Sequence, residues 1–213
     1  MFQEFVKKLS EELKKELPGF SAQKQMAPLG RKPPSDYLGK ITPKKSAVLM
    51  LLFPGTNHRI VKTVFILRPD TEGGSHVGQV ALPGGGLDTS DKDLSETALR
   101  EAEEEIGVDR NSVSLLGGLT PLYIPVSNYM VHPFIGVSNK VPEFKMHPIE
   151  VRGLLEADLA ELFSEKNKKE VEKFIKVKNR MLQVPCYEIK GEVIWGATAM
   201  ILSEFSEIIK RMK

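Results

Sequence analysis

Glu101, Glu104 and Glu105 are the residues of this chain whose type and spacing most clearly suit chemistry. They lie in the unbroken run Arg100-Glu101-Ala102-Glu103-Glu104-Glu105-Ile106-Gly107-Val108. At about 100° per residue on a helix, the three fall within about 100° of one another. Ala98, Leu99, Ala102 and Ile106 fall on a different face, suited to packing against a sheet. Like charges so placed destabilise an isolated helix by roughly a few tenths of a kcal/mol per pair, so helix propensity does not account for them. A bound divalent cation would. Carboxylate oxygens suit hard ions such as Mg²⁺ or Mn²⁺, which bridge protein carboxylates to substrate phosphates, and the implied substrate is phosphorylated. The plainer alternative is a solvated charged face. Against it stand the glycine-rich entry Leu82-Pro83-Gly84-Gly85-Gly86, the Arg100 beside the acids and the closing Gly107.

The segment resembles the Nudix box of the Nudix hydrolase superfamily. That box ends in Arg-Glu, an aliphatic residue, any residue, Glu-Glu, any residue, Gly and an aliphatic residue, and positions 100 to 108 match throughout. The resemblance covers roughly 46 to 210. It implies an α/β fold, an α/β/α sandwich with a mixed central sheet, in which a loop, helix and loop present metal-binding glutamates to a nucleoside diphosphate linked to another moiety. Carried over residue by residue, Glu101, Glu104 and Glu105 are metal ligands, and Arg100 orients them through charge-assisted hydrogen bonds. The general base is Glu104 or a residue from elsewhere; Glu150 is the candidate distal carboxylate, or else a surface charge at a strand end. One spacing departs from the box. Gly85 precedes Arg100 by fifteen positions rather than fourteen, and counting from Gly86 puts Lys92 where the first box glutamate should stand. An inserted loop residue, with Asp88 or Asp91 nearby, accounts for this.

Finer features are similar to the coenzyme A pyrophosphatase branch: the same insertion, Thr97-Ala98-Leu99-Arg100-Glu101-Ala102, His147-Pro148-Ile149-Glu150-Val151 and Trp195-Gly196-Ala197-Thr198-Ala199. Arg68, His76, Gly84 and Gly85 follow that branch's substrate motif and become candidate substrate-binding residues. The resemblance implies Mg²⁺- or Mn²⁺-dependent cleavage of coenzyme A or a derivative to 3′,5′-ADP and 4′-phosphopantetheine or its acyl form. Gly74 and Leu82 stand where the branch has Arg and Phe, which keeps ADP-ribose or another nucleoside diphosphate conjugate as an alternative. A non-catalytic Nudix-fold nucleotide sensor is the alternative of another class. The implied partner is a nucleotide-containing small molecule, and a homodimer is the family expectation.

The elements that must position these groups can be read from pattern. Asp93-Leu94-Ser95-Glu96 has the form of a capping box, so the helix starts there and Gly107 closes it. Ala47 to Phe53 and Ile60 to Leu67 read as strands joined by a hairpin, with a short strand at Gln79 to Leu82. Further strands are expected at Ser112 to Leu116, Met130 to Val137, Glu150 to Leu155, Met181 to Ile189 and Val193 to Trp195. Helices are expected at Ala157 to Ser164 and Thr198 to Met212. Phe2, Phe5, Val6, Leu9 and Leu13 recur at helical spacing through Leu17, an amphipathic helix stopped by Pro18-Gly19. Residues 1–20 are thus an N-terminal helix that packs on its own domain or on a partner subunit, 21–45 a Pro- and Lys-rich extended connector, and 46–213 the hydrolase domain.

Thirty Lys and Arg against twenty-eight Asp and Glu leave a net charge of +2, which implies neither a nucleic-acid nor a membrane partner. One cysteine, Cys186, excludes an intramolecular disulfide and a multi-cysteine zinc site. With no secretory pattern at the start of the sequence and no long apolar run, the expected compartment is the cytoplasm. Tyr123 and Tyr129 could stack on an adenine or serve as core aromatics. Trp195 reads as a packing residue, and His58, His132 and His147 as structural or surface groups.

Overall fold

A computed structural model describes residues 1–37, 39, 41–55, 59–69, 78–175 and 179–212. His76 and His58 lie outside the described residues. The chain opens with α1 (Phe2–Glu12) and α2 (Gly19–Gln23), followed by strand β1 (Lys44–Pro54) and β2 (Val61–Leu67). Two short strands, β3 (Val80–Ala81) and β4 (Gly84–Gly86), lead into α3 (Leu94–Ile106). Then come β5 (Val113–Gly118), β6 (Leu122–Ile124), β7 (Tyr129–Ser138), β8 (Gly153–Asp158) and the single turn α4 (Leu159–Leu162). The hairpin strands β9 (Lys168–Ile175), β10 (Arg180–Ile189) and β11 (Glu192–Trp195) precede the closing helix α5 (Gly196–Arg211).

Among the described residues the main sheet has eight strands, ordered β3-β2-β1-β7-β5, with β4 on β1, β6 on β7 and β8 on β2. β1 runs parallel to β7, from Lys44 opposite Tyr129 to Leu52 opposite Val137, and antiparallel to β2 and β4. The sheet is therefore mixed. β1 sits at its centre and is apolar at successive positions because both its faces are covered. Ala47, Leu49, Leu51 and Phe53 pack with Ala98, Ala102 and Ile106 of α3, while Met50 and Leu52 pack with Met200, Ile201 and Phe205 of α5. This alternation is the two-residue period of a strand. It builds the three layers of an α/β/α sandwich, with the small sheet β9–β11 beside α5.

The N-terminal segment belongs to the α5 layer. Phe2 and Leu9 of α1 and Met26 beyond α2 are buried in the same core as Phe205 and Ile208. The expected helix through Leu17 ends earlier, at Glu12. Leu13 and Leu17 still pack on the core, so the apolar spacing continues through a turn that is no longer helical. Prolines were expected to leave 21–45 extended, yet it contains part of α2 and short 3₁₀ turns at Lys24–Met26 and Pro34–Asp36. What fixes α2 is a buried carboxylate. Glu204 of α5 accepts hydrogen bonds from the Gly19 amide (3.0 Å), Gln23 Nε2 (2.9 Å) and Thr120 Oγ1 (2.6 Å).

Three further expectations are corrected. β8 starts at Gly153, which leaves Glu150 in the turn before it rather than on a strand. The helix expected at Ala157 to Ser164 shrinks to α4 because β8 continues to Asp158 on β2. β4, β6 and β9 were not anticipated. Tyr123 pairs opposite Met130 across β6 and β7, and β9 hides behind a run dominated by lysine and glutamate, Lys168-Lys169-Glu170-Val171-Glu172-Lys173.

Candidate active site

α3 begins where the sequence places it. Asp93 accepts hydrogen bonds from the amides of Ser95 (2.8 Å) and Glu96 (3.0 Å), capping two donors that the first helical turn leaves unpaired. Glu96 reaches back one residue further than a capping box requires, to the Lys92 amide at 2.9 Å. At the other end Gly107 takes a left-handed conformation (φ 70°), and its amide donates to the Glu103 carbonyl. The last carbonyls of α3 are met from a distant segment, since the amides of Lys145 and His147 donate to Ile106 and Glu105. That pairing holds the following turn, with Glu150, beside the helix.

Arg100 is the hub of the site. Its Nε and Nη2 grip both oxygens of Asp91 (2.9 and 3.0 Å), Nη1 reaches Glu101 (2.9 Å) and Glu104 (3.0 Å), and Nη2 also reaches the Gly86 carbonyl (3.1 Å). All five guanidinium N–H donors are thereby used inside the protein. Asp91, its side chain only 2% exposed, also accepts from Thr97 Oγ1 and the Asp88 amide. Arg100 holds its carboxyl well below the usual carboxylate range. The acid displaced by the inserted loop residue is therefore occupied as the anchor of Arg100. Sequence spacing left Asp88 and Asp91 equivalent; Asp88 turns instead to its neighbour Ser90.

The three glutamates occupy different environments. Glu104 is exposed and Glu101 half-buried. Glu105 is only 2% exposed, which corrects the assignment of all three to a face apart from the core: at about 100° per residue it lies only about 20° from Ala98 on the helical wheel. It stays polar there because the Gly84 amide donates to it at 2.7 Å. Burial pushes its pKa up to about 7, against the pull of the Gly84 amide and the Arg68 charge, with Glu101 and Glu150 adding to the rise. Burial likewise raises Glu101, opposed by Arg100.

The glycines serve close approach. Gly84 (φ 155°) packs so tightly on Ala47 and Val48 that a Cβ would overlap their backbone, and a Cβ on Gly85 would overlap the Glu101 carboxylate. β4 is thus a side-chain-free strip, paired to Ser46–Val48 of β1, with Glu101 and Glu105 reaching it from α3. It borders a cleft of about 1200 Å³ whose lining includes Arg68, Gly84, Gly85, Gly86 and Glu150. Of the residues expected at the site, Arg68, Gly84, Gly85 and Glu150 line this cleft, whereas Arg100, Glu101, Glu104 and Glu105 are not among its lining residues and meet it only across the glycine strip. The two tyrosines part ways: Tyr129 lines the cleft, whereas Tyr123 is buried behind it. Trp195, read as packing, is half-buried on the cleft wall. Sequence reading missed Arg31 and Tyr37 of the connector, which also line it; nothing in their spacing links them to a region more than forty residues away.

The donor set fits a hard divalent cation. In each of Glu101, Glu104 and Glu105 one oxygen is held by a protein donor, and no donor among the described residues reaches the other. Two of the three are carboxylates drawn toward protonation by burial, a cost that a nearby cation removes. Among the described residues no three acidic, His or Cys side chains close into a cage by themselves. This suits an ion that completes its shell with water and substrate oxygens.

Comparison with known proteins places the chain in a family. The family model described as the NUDIX domain matches residues 43–176, and the chain belongs to the Nudix family. Members of that family generally depend on divalent metal ions. The chain is 32% identical over 184 residues to "Nudix hydrolase 15, mitochondrial" of Arabidopsis thaliana, a match covering 84% of this chain and 62% of that protein. It is 32% identical over 148 residues to "Uncharacterized Nudix hydrolase NudL" of Photorhabdus laumondii, covering 70% of this chain and 78% of that one. The chain thus spans less than two thirds of the Arabidopsis relative. Among solved structures, a MutT/nudix family protein from Enterococcus faecalis superposes with a TM-score of 0.52 at 14% identity, over 96% of this chain and 73% of the other, a likeness of fold. Among the described residues no helix is long and apolar enough to cross a membrane.

Proposed function

We propose that this chain is a metal-dependent pyrophosphohydrolase that cleaves the diphosphate linkage of a nucleoside diphosphate derivative, with coenzyme A or a derivative as substrate. The observation that carries the reading is the Arg100 hub, which fixes Glu101 and Glu104 beside the glycine strip bordering the cleft. A hydrolase must hold carboxylates in place before substrate arrives, and Arg100 has no donor left for the substrate itself. Mg²⁺ or Mn²⁺ held by Glu101, Glu104 and Glu105 supplies charge neutralisation of the diphosphate and an acidified water. Arg68 provides a guanidinium fork for a phosphate at the cleft wall. Glu150, on the turn tied to the end of α3, is a carboxylate able to accept a proton from the cleft side. The glycine strip lets the diphosphate approach the backbone with no side chain between.

The coenzyme A assignment rests on the branch-like motifs of the sequence; Gly74 and Leu82, where that branch has Arg and Phe, keep ADP-ribose or another nucleoside diphosphate conjugate as the second reading. The test is incubation with Mg²⁺ or Mn²⁺ and, separately, coenzyme A, ADP-ribose and diadenosine compounds, with products resolved by chromatography. Release of 3′,5′-ADP from coenzyme A well above the other rates is expected, with loss on chelation by EDTA and in Glu104→Gln. Equal rates for Glu104→Gln and the parent protein would remove the metal-site assignment. Cleavage of ADP-ribose alone would move the substrate, and cleavage of none would favour a sensor.

A further inference from the structure

The cleft has a wall that the catalytic reading does not use. Pro28 to Arg31 and Tyr37 of the N-terminal connector line it together with β4 and Arg68. Arg31 is half-buried there and donates from Nη2 to the Tyr123 carbonyl. Tyr37 packs on Tyr123 with ring centroids 4.7 Å apart and planes tilted by 50°. The connector is therefore anchored on β6 through a backbone acceptor and a ring contact.

The charge of Arg31 is unmatched in a way that the other arginines of the site are not. Arg100 faces three carboxylates, and Arg68 lies within the field of Glu105. No carboxylate among the described residues forms an ion pair with Arg31. Burial pulls its pKa below the ordinary arginine value, opposed only by the two tyrosines. A desolvated guanidinium with one neutral acceptor retains donors in a fork that fits an anionic oxygen group. The cleft, at about 1200 Å³, is larger than the roughly 300–1,000 Å³ of most small-molecule sites, so it has room for a substrate extending well past a diphosphate.

We propose that Arg31 is a specificity-determining residue that binds a phosphomonoester carried by the substrate apart from its diphosphate, with Tyr37 as the adjoining wall. The diphosphate belongs at the β4 and Arg68 end, beside the α3 carboxylates; Arg31 sits on a different element and reads a different group. This rests on the reading of the cleft as a nucleotide diphosphate site, and it separates nucleotides bearing an additional ribose phosphate from those without one.

The test is titration calorimetry of 3′,5′-ADP, 2′,5′-ADP and AMP, in metal-free buffer, against the parent protein, Arg31→Met and Arg31→Lys, with circular dichroism to verify the fold. The parent protein is expected to prefer 3′,5′-ADP by about tenfold or more, the scale of a charge-assisted hydrogen bond. Arg31→Met should abolish that preference while changing AMP affinity by less than about twofold, since its loss is confined to one anionic contact. Arg31→Lys should keep part of it, as a point charge replaces a fork. A preference for 2′,5′-ADP instead supports the proposal, with the phosphate on the neighbouring ribose oxygen. No discrimination by the parent protein, or an equal loss for all three nucleotides in Arg31→Met, overturns it. In parallel, kcat/KM for coenzyme A and 3′-dephospho-coenzyme A should converge in Arg31→Met through a rise in KM for the former. Absence of hydrolysis of either by the parent protein defeats the coenzyme A reading, while the calorimetric comparison still decides the role of Arg31.

Discussion

At the scale of single residues, the site is governed by what each group is denied. Gly85 is denied a side chain because the Glu101 carboxylate occupies the space. Gly85→Ala should push Glu101 off its Arg100 contact and lower kcat/KM by about hundredfold, the cost of a displacement of about 1 Å, with little change in melting temperature. Wild-type rates in that variant would mean that Glu101 placement is immaterial. Asp91 is denied protonation. Its carboxyl titrates below the usual range in the folded protein because Arg100 holds it, so its stabilisation is complete above the ordinary aspartate pKa of about 3.9 and is lost as pH falls from there toward the folded value. Urea titrations at descending pH should show a steeper acid loss for the parent protein than for Asp91→Asn, which is less stable already at neutral pH. Parallel curves would mean that the Asp91–Arg100 pair contributes nothing to acid stability.

At the scale of elements, what could be read from sequence is what local chemistry decides. α3 is announced at both ends, by Asp93 and by Gly107, and its acids by their spacing. Gly107→Ala should cost about 1–2 kcal/mol for the left-handed backbone, read as a lower urea midpoint; an unchanged midpoint would show that the helix end tolerates a Cβ against Lys145. The missed elements are those whose partners are remote. β4 is three glycines, poor strand formers that become a strand because Ser46–Val48 offers them a ladder. β6 lies between prolines and pairs with β7 across a tight turn at Asn128, itself in a left-handed conformation. β9 is rich in charged residues because much of it is exposed. Glu105 was put on the wrong face for a related reason: a charge reads as solvent-facing until the distant Gly84 amide is known. The connector gave no sign of its role in the cleft, since the contact of Arg31 with Tyr123 depends on the whole chain having folded.

At the scale of the molecule, the N-terminal segment and the cleft are mechanically joined. Glu204 binds α2 through Gly19 and Gln23 and, through Thr120, the stretch leading to Tyr123, on which Arg31 and Tyr37 rest. Glu204→Ala leaves several buried donors without an acceptor and should lower unfolding free energy by about 2–3 kcal/mol, measured by chemical denaturation. It should also weaken nucleotide affinity, although Glu204 is not among the residues lining the cleft. A stability loss with unchanged affinity would show that the two regions are independent.

The central strand β1 carries a consequence of another kind. Its odd-numbered side chains from Ala47 to Phe53 fill the space under α3, and its neighbours Met50 and Leu52 fill the space under α5. Anyone randomising this strand can treat it as two separate libraries, the odd positions repacking the α3 layer and the even positions the α5 layer. A deletion of one residue within it, by contrast, would exchange the two sets and spoil both layers at once.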